Sequence, residues 1–503
     1  MKKNSSHKRP GNGATLFFPI VSGLLTAQLI ATCFVHDSDI RVLSLVRAAQ
    51  STGYLPVPAG PVIATLDGLA AAFWGGLFYT LSLGTGLTLL TWASLRLWQT
   101  LFRCNRSFLI FLAVLWAGST AAVNLRGPVL FPSLFCLLVP AVTAYVCFRT
   151  RPQAREVRNL AWMAPVLALM ALTALWATQM NADLFVAIRD NILLSNAAGR
   201  QVNDFYYRYT LYAAESFKSF RQKTLRSCNL ESAGDKTTVR KLEILLAKHD
   251  VLSLPQIDRP DIRVIASDGK MQWVSATGRS MEVAAGELWA HPDQVLRSFS
   301  EATDRFAPLR RMTLVGLFIG FPILLFISVF GFLSLPARLA MGPTQASLTV
   351  SGSCLVIGIL LFLPMLNAQP MKITPQNIDT ALAADQWPPR VAALRYIIRH
   401  KLEIADHPGY RSLLTSPLVM ERYWLARAMA GSRVTETYTQ LLPLIRDPHP
   451  NVICQAFFAL GEMGRRAAIG PVKQRLVELD HWYAQWYAYR AIRKLGWHQN
   501  PSN

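Results

Sequence analysis

The stretch Met312-Thr-Leu-Val-Gly-Leu-Phe-Ile-Gly-Phe-Pro-Ile-Leu-Leu-Phe-Ile-Ser-Val-Phe-Gly-Phe-Leu-Ser-Leu335 runs for 24 residues without a charged side chain. Because about 20 apolar helical residues cross the hydrocarbon core of a bilayer, this stretch predicts a membrane-spanning helix. The whole chain shares its character, since 52% of the 503 residues are hydrophobic and only 16% are charged. The composition is too apolar for an ordinary soluble enzyme and predicts an integral membrane protein.

Windows of this length predict a polytopic, mainly α-helical membrane protein with about seven spans. The predicted spans are Ala14 to Val35, Leu69 to Leu95, Ser107 to Val123, Pro128 to Phe148, Ala161 to Met180, Met312 to Leu335 and Ser347 to Leu366. The first follows a basic segment and has no small-residue cleavage site near its end. It is therefore interpreted as an uncleaved signal anchor.

The spans divide the chain into four predicted regions. These are a five-span membrane region (1–180), an inserted α+β domain (181–311), two further spans (312–366) and a C-terminal helical domain (376–503). No ionisable residue lies near the centre of any predicted span, which is where transport and proton-relay sites need one.

Basic residues in the short loops predict the orientation, because cytoplasmic loops are enriched in Lys and Arg. They cluster at the N-terminus, between the second and third spans, and between the fourth and fifth spans. The N-terminus is therefore expected in the cytoplasm, and residues 181–311 and the C-terminal domain outside it. Arg310 and Arg311 oppose this pattern at the outer end of the sixth span. The expected location is a bacterial inner membrane, with both polar domains in the periplasm.

The inserted domain contains a local hairpin signal. Residues Ile262 to Ala266 and Met271 to Ser275 alternate in polarity on either side of Asp268-Gly269, a dipeptide that favours a two-residue hairpin turn. A third strand is expected at Ser280 to Ala285, and an amphipathic helix at Thr237 to His249.

The C-terminal domain repeats itself with a period of 33 residues. Val419 and Val452 are 33 residues apart, and so are Gly431 and Gly464. The segment Asp447-Pro-His-Pro-Asn-Val-Ile-Cys-Gln-Ala-Phe-Phe-Ala-Leu-Gly-Glu-Met-Gly464 resembles HEAT repeats of the short bacterial type found in phycobilisome-lyase-like proteins. The resemblance implies an α-solenoid with a concave, protein-binding surface. It implies no lyase chemistry, since no bilin-attachment motif is identified.

Two aromatic stretches are the candidate partner-binding or interfacial sites, one at 203–217 and one in the last repeat. Their candidate residues are Tyr206, Tyr207, Arg208, Tyr209 and Tyr212 in the first stretch, and Trp482, Tyr483, Trp486, Arg490 and Arg493 in the second. For the first stretch, the alternatives are an amphipathic helix packed on the α+β domain, an aromatic belt at the membrane surface, and a true ligand or partner site. For the second, they are the core of a capping repeat and an interaction patch.

The sequence contains no catalytic, nucleotide-binding or metal-binding motif, so no cofactor and no metal site is predicted. The basic excess lies beside apolar segments, so lipid head groups account for it and no nucleic acid is expected as a partner. The leading prediction is a membrane-anchored, non-enzymatic scaffold or assembly factor that binds a protein partner. The alternatives are a transporter or channel component, and a membrane enzyme that acts on lipid or an envelope polymer and uses Asp190, Asp204 or Glu215 as acid or base.

Overall fold

The structure is a computed structural model that describes residues 14–150, 163–267, 270–367 and 372–500. Over these residues the chain is mostly helical, with 21 α-helices and one five-stranded mixed sheet. The described residues fall into two compact units. The helical unit is drawn from Met1–Val35, Ala72–Leu184 and Arg305–Leu363, and the mixed unit from His36–Ala71, Phe185–Asp304 and Pro364–Asn503.

The helices are numbered along the chain. They are α1 (Ala14–Ser51), α2 (Leu69–Tyr79), α3 (Thr85–Thr100), α4 (Arg106–Val123), α5 (Leu130–Arg149), α6 (Met163–Thr178), α7 (Leu184–Ile188), α8 (Ala197–Phe217), α9 (Lys236–Lys248), α10 (Ala285–Ala290), α11 (Pro292–Thr303), α12 (Ala307–Val315), α13 (Phe321–Ala340), α14 (Pro343–Asn367), α15 (Ile378–Leu382), α16 (Trp387–His400), α17 (Val419–Met429), α18 (Thr435–Leu441), α19 (Pro450–Met463), α20 (Ile469–Glu478) and α21 (Trp482–Lys494).

Six helical segments among the described residues are long and apolar enough to cross a membrane. They are Phe17–Ser51, Leu69–Thr100, Arg106–Val123, Leu130–Arg149, Ala307–Ala340 and Pro343–Met365. The predicted helical class is therefore confirmed, and six of the predicted spans coincide with helices of this kind. At the fifth predicted span the structure has α6, which is 16 residues long. The predicted beginning of that span, Ala161, lies outside the described residues.

Two of these segments contain a π-helical turn, Thr80–Gly84 between α2 and α3 and Gly316–Gly320 between α12 and α13. The two turns pack on each other in the helical unit. A Cβ at Gly316 would lie 2.4 Å from the carbonyl oxygen of Ser82, so only glycine permits this approach. Gly84 lies against α1 in the same way, where an added Cβ would be 2.5 Å from that of Ala27. Small residues thus let the helical backbones come close, as in other membrane bundles.

The polar groups of the helical unit are used within and between helices. Gln28 donates from Nε2 to the carbonyl oxygen of Phe73 (2.8 Å) and accepts from the Thr80 hydroxyl (2.7 Å). The hydroxyls of Thr85 and Thr143 donate hydrogen bonds to backbone carbonyl oxygens of their own helical segments. Such bonds satisfy side chains that are buried away from water.

The sheet of the mixed unit has the order β2-β1-β3-β4-β5. Its strands are β1 (Arg226–Ser232), β2 (Val251–Ser253), β3 (Ile262–Ser267), β4 (Lys270–Ser275) and β5 (Ser280–Ala284). The two strands of the predicted hairpin are present as the antiparallel pair β3 and β4, and β5 extends the pair antiparallel to β4. The predicted turn residues Asp268 and Gly269 lie outside the described residues. β1 pairs in parallel with β2 and β3. Trp273 and Phe299, both almost fully buried, lie in the core between the sheet and its helices.

The C-terminal helices pack in series, α16 on α17, α17 on α19, and α19 on α21. α19 ends at Gly464, whose φ of +71° is the left-handed conformation that glycine adopts most easily. Before α19, the Asp447 carboxylate accepts a hydrogen bond from the backbone N–H of His449 at 2.8 Å, and it also pairs with the Arg422 guanidinium at 2.6 Å. A buried ion pair therefore fixes the turn between two successive helices.

One local prediction differs from the structure. α1 does not end near Val35 but continues to Ser51, since Asp37, Asp39 and Arg41 are accommodated within the helix. At the start of α8, Gly199 lies in the first turn, where its N–H donates to the Asn196 side chain at 2.8 Å. An Asn before the helix supplies the acceptor that the first turn lacks, so the helix begins there.

Candidate functional site

Helix α8, which contains most of the aromatic stretch at 203–217, lies against the C-terminal helices of the mixed unit. It packs on α21 and reaches the N-terminal ends of α19 and α21. Its buried residues are Asn203, Leu211, Tyr212, Ala213 and Phe217. Tyr212 of the predicted aromatic face and the neighbouring Tyr207 contact aromatic rings of α21.

Two adjacent side chains at the start of α8 make polar contacts with α19. Asn203 donates from Nδ2 to Oδ1 of Asn451 at 2.9 Å, and both residues are buried. The neighbouring Asp204 places Oδ1 3.3 Å from Nε2 of His449. Nδ1 of His449 accepts from the backbone N–H of Asn451, so the proton of the neutral ring is on Nε2 and faces the Asp204 carboxylate. Burial lowers the pKa of His449, although Asp204 and Asp447 act in the opposite direction.

Tyrosine rings from α8 and α21 form one continuous cluster. The ring of Tyr207 meets that of Tyr483 edge-on at 4.9 Å, and Tyr206 stands against Tyr207 at 5.5 Å. Tyr483 in turn contacts Trp486 and Tyr487. We call these five residues the aromatic cluster. Burial raises the pKa of both the Tyr207 and the Tyr483 phenol, so the hydroxyls stay protonated and able to donate hydrogen bonds at neutral pH.

Arginines flank the aromatic cluster. The Arg490 guanidinium lies 4.6 Å from the ring centre of Trp486, and the buried Arg189 guanidinium lies 3.8 Å from that of Tyr423. Arg189 is held by its neighbour Asp190, which accepts from Arg189 Nε at 2.8 Å and from the indole N–H of Trp424 at 2.8 Å. Cation–π contacts of this kind are favourable and fix the orientation of the rings.

The C-terminal end of α21 is tied to the α+β part of the mixed unit through one carboxylate. Asp250, which follows α9 and has a φ of +59°, accepts from the Tyr489 hydroxyl at 2.5 Å and pairs with Arg493 at 2.9 Å. Burial raises the pKa of Tyr489, and the charge of Asp250 adds to the effect. Arg493 is thus a structural ion-pair residue, and Asp250 is a contact for which the sequence gives no local sign.

A segment near the start of the chain also belongs to this unit. The strap, residues 52–66, is held by two glutamines of the C-terminal region, each of which pairs both atoms of its amide with one backbone residue. Gln485 accepts from the N–H of Ala59 at 2.9 Å and donates to its carbonyl oxygen at 2.8 Å. Gln499 pairs in the same way with Leu55, at 3.0 and 2.8 Å. The strap also meets α8, where Thr65 and the Tyr212 hydroxyl are 2.7 Å apart.

Among the described residues of the mixed unit, one fully buried carboxyl has no hydrogen-bond partner at either oxygen. Asp39, in the part of α1 that belongs to this unit, is fully buried, and neither of its oxygens has a partner. The carboxylate of Glu215 interacts electrostatically with the Asp39 carboxyl. Glu215 also pairs with the Lys218 ammonium at 2.7 Å. Asp39 was not among the residues that the sequence suggested for acid–base chemistry.

The structure brings together two sets of candidates that are almost 300 positions apart. Tyr206 and Tyr207 meet Tyr483 and Trp486 in the aromatic cluster, with Arg490 at its edge. Tyr212 packs edge-on against the buried Trp482 at 5.0 Å, and Tyr209 contacts Tyr212. Arg208 lies 3.4 Å from Asp480, with both side chains exposed. Trp482 is therefore core, and Tyr483 and Trp486 are partly exposed.

The three carboxylates considered for acid–base chemistry do not share a partner. Asp190 is paired with Arg189, Asp204 faces His449, and Glu215 pairs with Lys218. Within the described part of the chain, no group of three or more His, Cys, Asp or Glu side chains is placed to hold a metal ion.

Comparison with models of protein families, with curated proteins and with solved structures finds no significant match. The fold itself is that of a mostly helical protein, and six of its described helical segments are long and apolar enough to cross a membrane, as in a membrane protein. Its mixed unit combines a small mixed sheet with a series of packed helices.

Proposed function

We propose that this protein is a membrane-anchored scaffold or assembly factor, and that its mixed unit binds a partner protein on the periplasmic side of a bacterial inner membrane. The observation that carries the proposal is the aromatic cluster with its flanking arginines. Tyr, Trp and Arg are the residues most enriched at the energetic centres of protein interfaces. Here the rings of the aromatic cluster come from α8 and α21 together, so the binding surface is composite.

Several large side chains on α8 are exposed, which supports the proposal that this surface is available to a partner. Tyr206 is 47% exposed, and Val202 and Phe205 on the same helix are 58% and 36% exposed. Large apolar side chains grouped on a polar unit are typical of interaction sites. α8 occupies part of the surface that the C-terminal helices would otherwise offer, so the partner is expected to contact α8 and α21 at once.

The C-terminal helices are proposed to be HEAT-like repeats that form a short solenoid. Their serial packing and the glycine that ends α19 agree with the 33-residue period of the sequence. In repeat proteins of this kind each unit contacts its neighbours and leaves an extended surface for binding.

Seven crossings are proposed for the chain, and the mixed unit supplies the argument. Because its three segments form one compact unit, they must lie on one side of the membrane. An even number of crossings must therefore separate residues 36–71 from residues 185–304. Three long segments (α2 with α3, α4, and α5) lie between them, so α6 is proposed to cross as well. Its 16 residues rise about 24 Å, and a bilayer accommodates a short span by local thinning.

The alternatives find less support in the described residues. A transporter needs polar or ionisable groups along a path at membrane depth, whereas Gln28, Thr80, Thr85 and Thr143 are engaged in helix hydrogen bonds. An enzyme with two of the three proposed carboxylates needs them in one pocket, and each has a different partner.

The test is site-specific photocrosslinking in cells that produce the full chain. A photoreactive phenylalanine analogue replaces Tyr206 or Trp486 in the aromatic cluster, and Trp289, an aromatic residue on α10 that is 40% exposed, serves as the matched control. The proposal predicts one discrete protein adduct from the first two positions and none from the third. Absence of a discrete adduct at Tyr206 and Trp486, or the same products from all three positions, would contradict it.

A further inference from the structure

The helical unit contains a large apolar groove. Its volume is about 1270 Å³, and it is lined by residues of α1, α3, α6, α12 and α13 and of the two π-helical turns. Leu90 and Phe332, which line it, are 68% and 74% exposed, so the groove is open on one side. Sites for small molecules usually enclose about 300–1,000 Å³ and contain several polar groups. This groove is larger, and nearly all of its lining side chains are hydrocarbon or aromatic.

Among the described residues of the lining, the charged ones are Arg311 and Arg338. They are separated by 27 residues of the segment Ala307–Ala340, a rise of about 40 Å, which is close to the thickness of a bilayer with its head groups. The groove therefore extends along the membrane-crossing direction of that segment, and its two charges fall at head-group level. An elongated apolar ligand with a polar end fits this arrangement.

The charge of the unit favours an anionic ligand. In the sequence ranges of the helical unit the only acidic residues are Glu156 and Asp183, against 16 Lys and Arg. None of the groove-lining residues that the structure describes is a carboxylate. Basic residues at head-group level attract anionic lipids, and each contributes about 1 kcal/mol.

Two buried donors lie one turn apart on α3, and the first of them lines the groove. Trp92 lines the groove, and its indole N–H is buried and has no hydrogen-bond partner. Arg96, one turn further along α3, has its guanidinium carbon 6.0 Å from the Trp92 ring centre, and its Nε is also buried without a partner. Buried indole N–H groups normally find an acceptor. The groove also has Phe17 packed against Gly331, where an added Cβ would be 1.7 Å from the Phe17 ring.

We propose that the groove binds one anionic diacyl lipid, whose chains lie between α1, α3, α6 and α13 and whose head group is held at the end marked by Trp92, Arg96 and Arg338. The lipid phosphate and ester oxygens supply the acceptors that the Trp92 and Arg96 donors lack. This site is separate from the protein-binding surface of the mixed unit and does not depend on it.

The test uses the full chain reconstituted in phosphatidylcholine vesicles that carry a trace of photoactivatable lipid. The probe is phosphatidylglycerol or phosphatidylcholine with a diazirine in one acyl chain, and labelled peptides are identified by mass spectrometry. The phosphatidylglycerol probe is expected to label residues 83–93 and 316–335 more strongly than the phosphatidylcholine probe. Arg338→Gln is expected to reduce this labelling about fivefold, the factor that corresponds to about 1 kcal/mol for one basic residue.

Matched variants separate the groove from the general lipid surface. Leu90→Trp fills the groove and is expected to abolish the labelling, whereas Leu115→Trp, at a residue of α4 that is 60% exposed outside the groove, leaves it unchanged. Arg311→Gln, at the other end, also leaves it unchanged. Equal labelling by the two probes, labelling spread evenly over α4 and α14, or labelling that Leu90→Trp does not reduce would each overturn the proposal.

Discussion

His481 precedes α21 and is buried, and neither of its ring nitrogens has a hydrogen-bond partner. Burial lowers the pKa of His481 from 6.5 to about 4, and the nearby Arg208 acts in the same direction while Asp480 opposes it. The folded chain therefore keeps this ring neutral at a pH where the unfolded chain already takes up a proton. Stability is lost as the pH falls below 6.5, and the loss is complete near pH 4.

The difference between the pKa of His481 in the folded and in the unfolded chain predicts a measurable effect of pH on stability. Between about pH 7.5 and about pH 5 the free energy of unfolding should fall by about 2 kcal/mol on account of His481 alone. His481→Gln, which cannot be protonated, should lose correspondingly less stability over the same range. Thermal unfolding of the full chain in detergent at both pH values measures the difference. His400→Gln, at an exposed histidine, is the control, and an acid response of His481→Gln equal to that of the wild type would contradict the prediction.

For single residues, the sequence predicts which side chains are candidates for a binding site better than it predicts which side chains they contact. Tyr207 and Tyr483 stand out by their aromatic neighbours, but nothing local indicates that their rings touch. Asp250 and Gln485 have no distinguishing pattern, and their roles depend on groups more than 200 positions away. The burial of Asp39 has no local sign, because it lies within a turn of Asp37 and Arg41, where a charged residue suggests a solvated helix face.

The two π-helical turns are the elements on which the packing of the helical unit depends most directly. Gly316→Ala would place a methyl group 2.4 Å from the Ser82 carbonyl oxygen, and backbone on both sides limits relaxation. We expect a destabilisation of about 1–3 kcal/mol, typical of overpacking.

The matched substitution is Gly118→Ala in α4, where a Cβ would meet no atom within 4 Å. It should be neutral or slightly stabilising, because alanine favours a helix over glycine. Thermal unfolding of both variants in the same detergent measures the contrast. A Gly316→Ala protein as stable as Gly118→Ala would show that the two turns do not constrain each other.

For single helices and strands, sequence patterns predict the elements that form through interactions between residues close in the chain. The hairpin of β3 and β4 follows from alternating residues around Asp-Gly, and α9 (Lys236–Lys248) follows from its apolar spacing. Local patterns do not predict β1 and β2, because parallel pairing joins strands that are separated by a helix, and β2 has only three residues. Hydropathy does not predict the continuation of α1 to Ser51, because it falls after Val35 although the helix does not end there.

The whole molecule has a topology that single cysteines can test. Asp67, Glu231 and Ser412 are exposed residues from the three segments of the mixed unit. In a background with Cys33 and Cys104 changed to Ser, each of Asp67→Cys, Glu231→Cys and Ser412→Cys should react with a membrane-impermeant maleimide from the same side of the membrane. The exposed native Cys104, restored alone, should react only from the other side.

This labelling follows from the compactness of the mixed unit and from the seven proposed crossings. If Asp67→Cys and Glu231→Cys were labelled from opposite sides, α6 would not cross, and the three segments could not form one unit. Spheroplasts and inverted vesicles supply the two sides, and labelling after solubilisation controls for accessibility.

The hydrogen bonds between Leu55 and Gln499 join residues that are 444 positions apart. At a synthesis rate of about 5–20 residues per second, the ribosome makes the partner about 20 to 90 s after the strap. Throughout that interval the backbone groups of Leu55 and Ala59 lack their final partners while later helices are still entering the membrane. Synthesis of Gln485 and Gln499 is therefore the event that allows the mixed unit to close, and a ribosome that stops before Gln485 leaves a product whose strap is open to proteases.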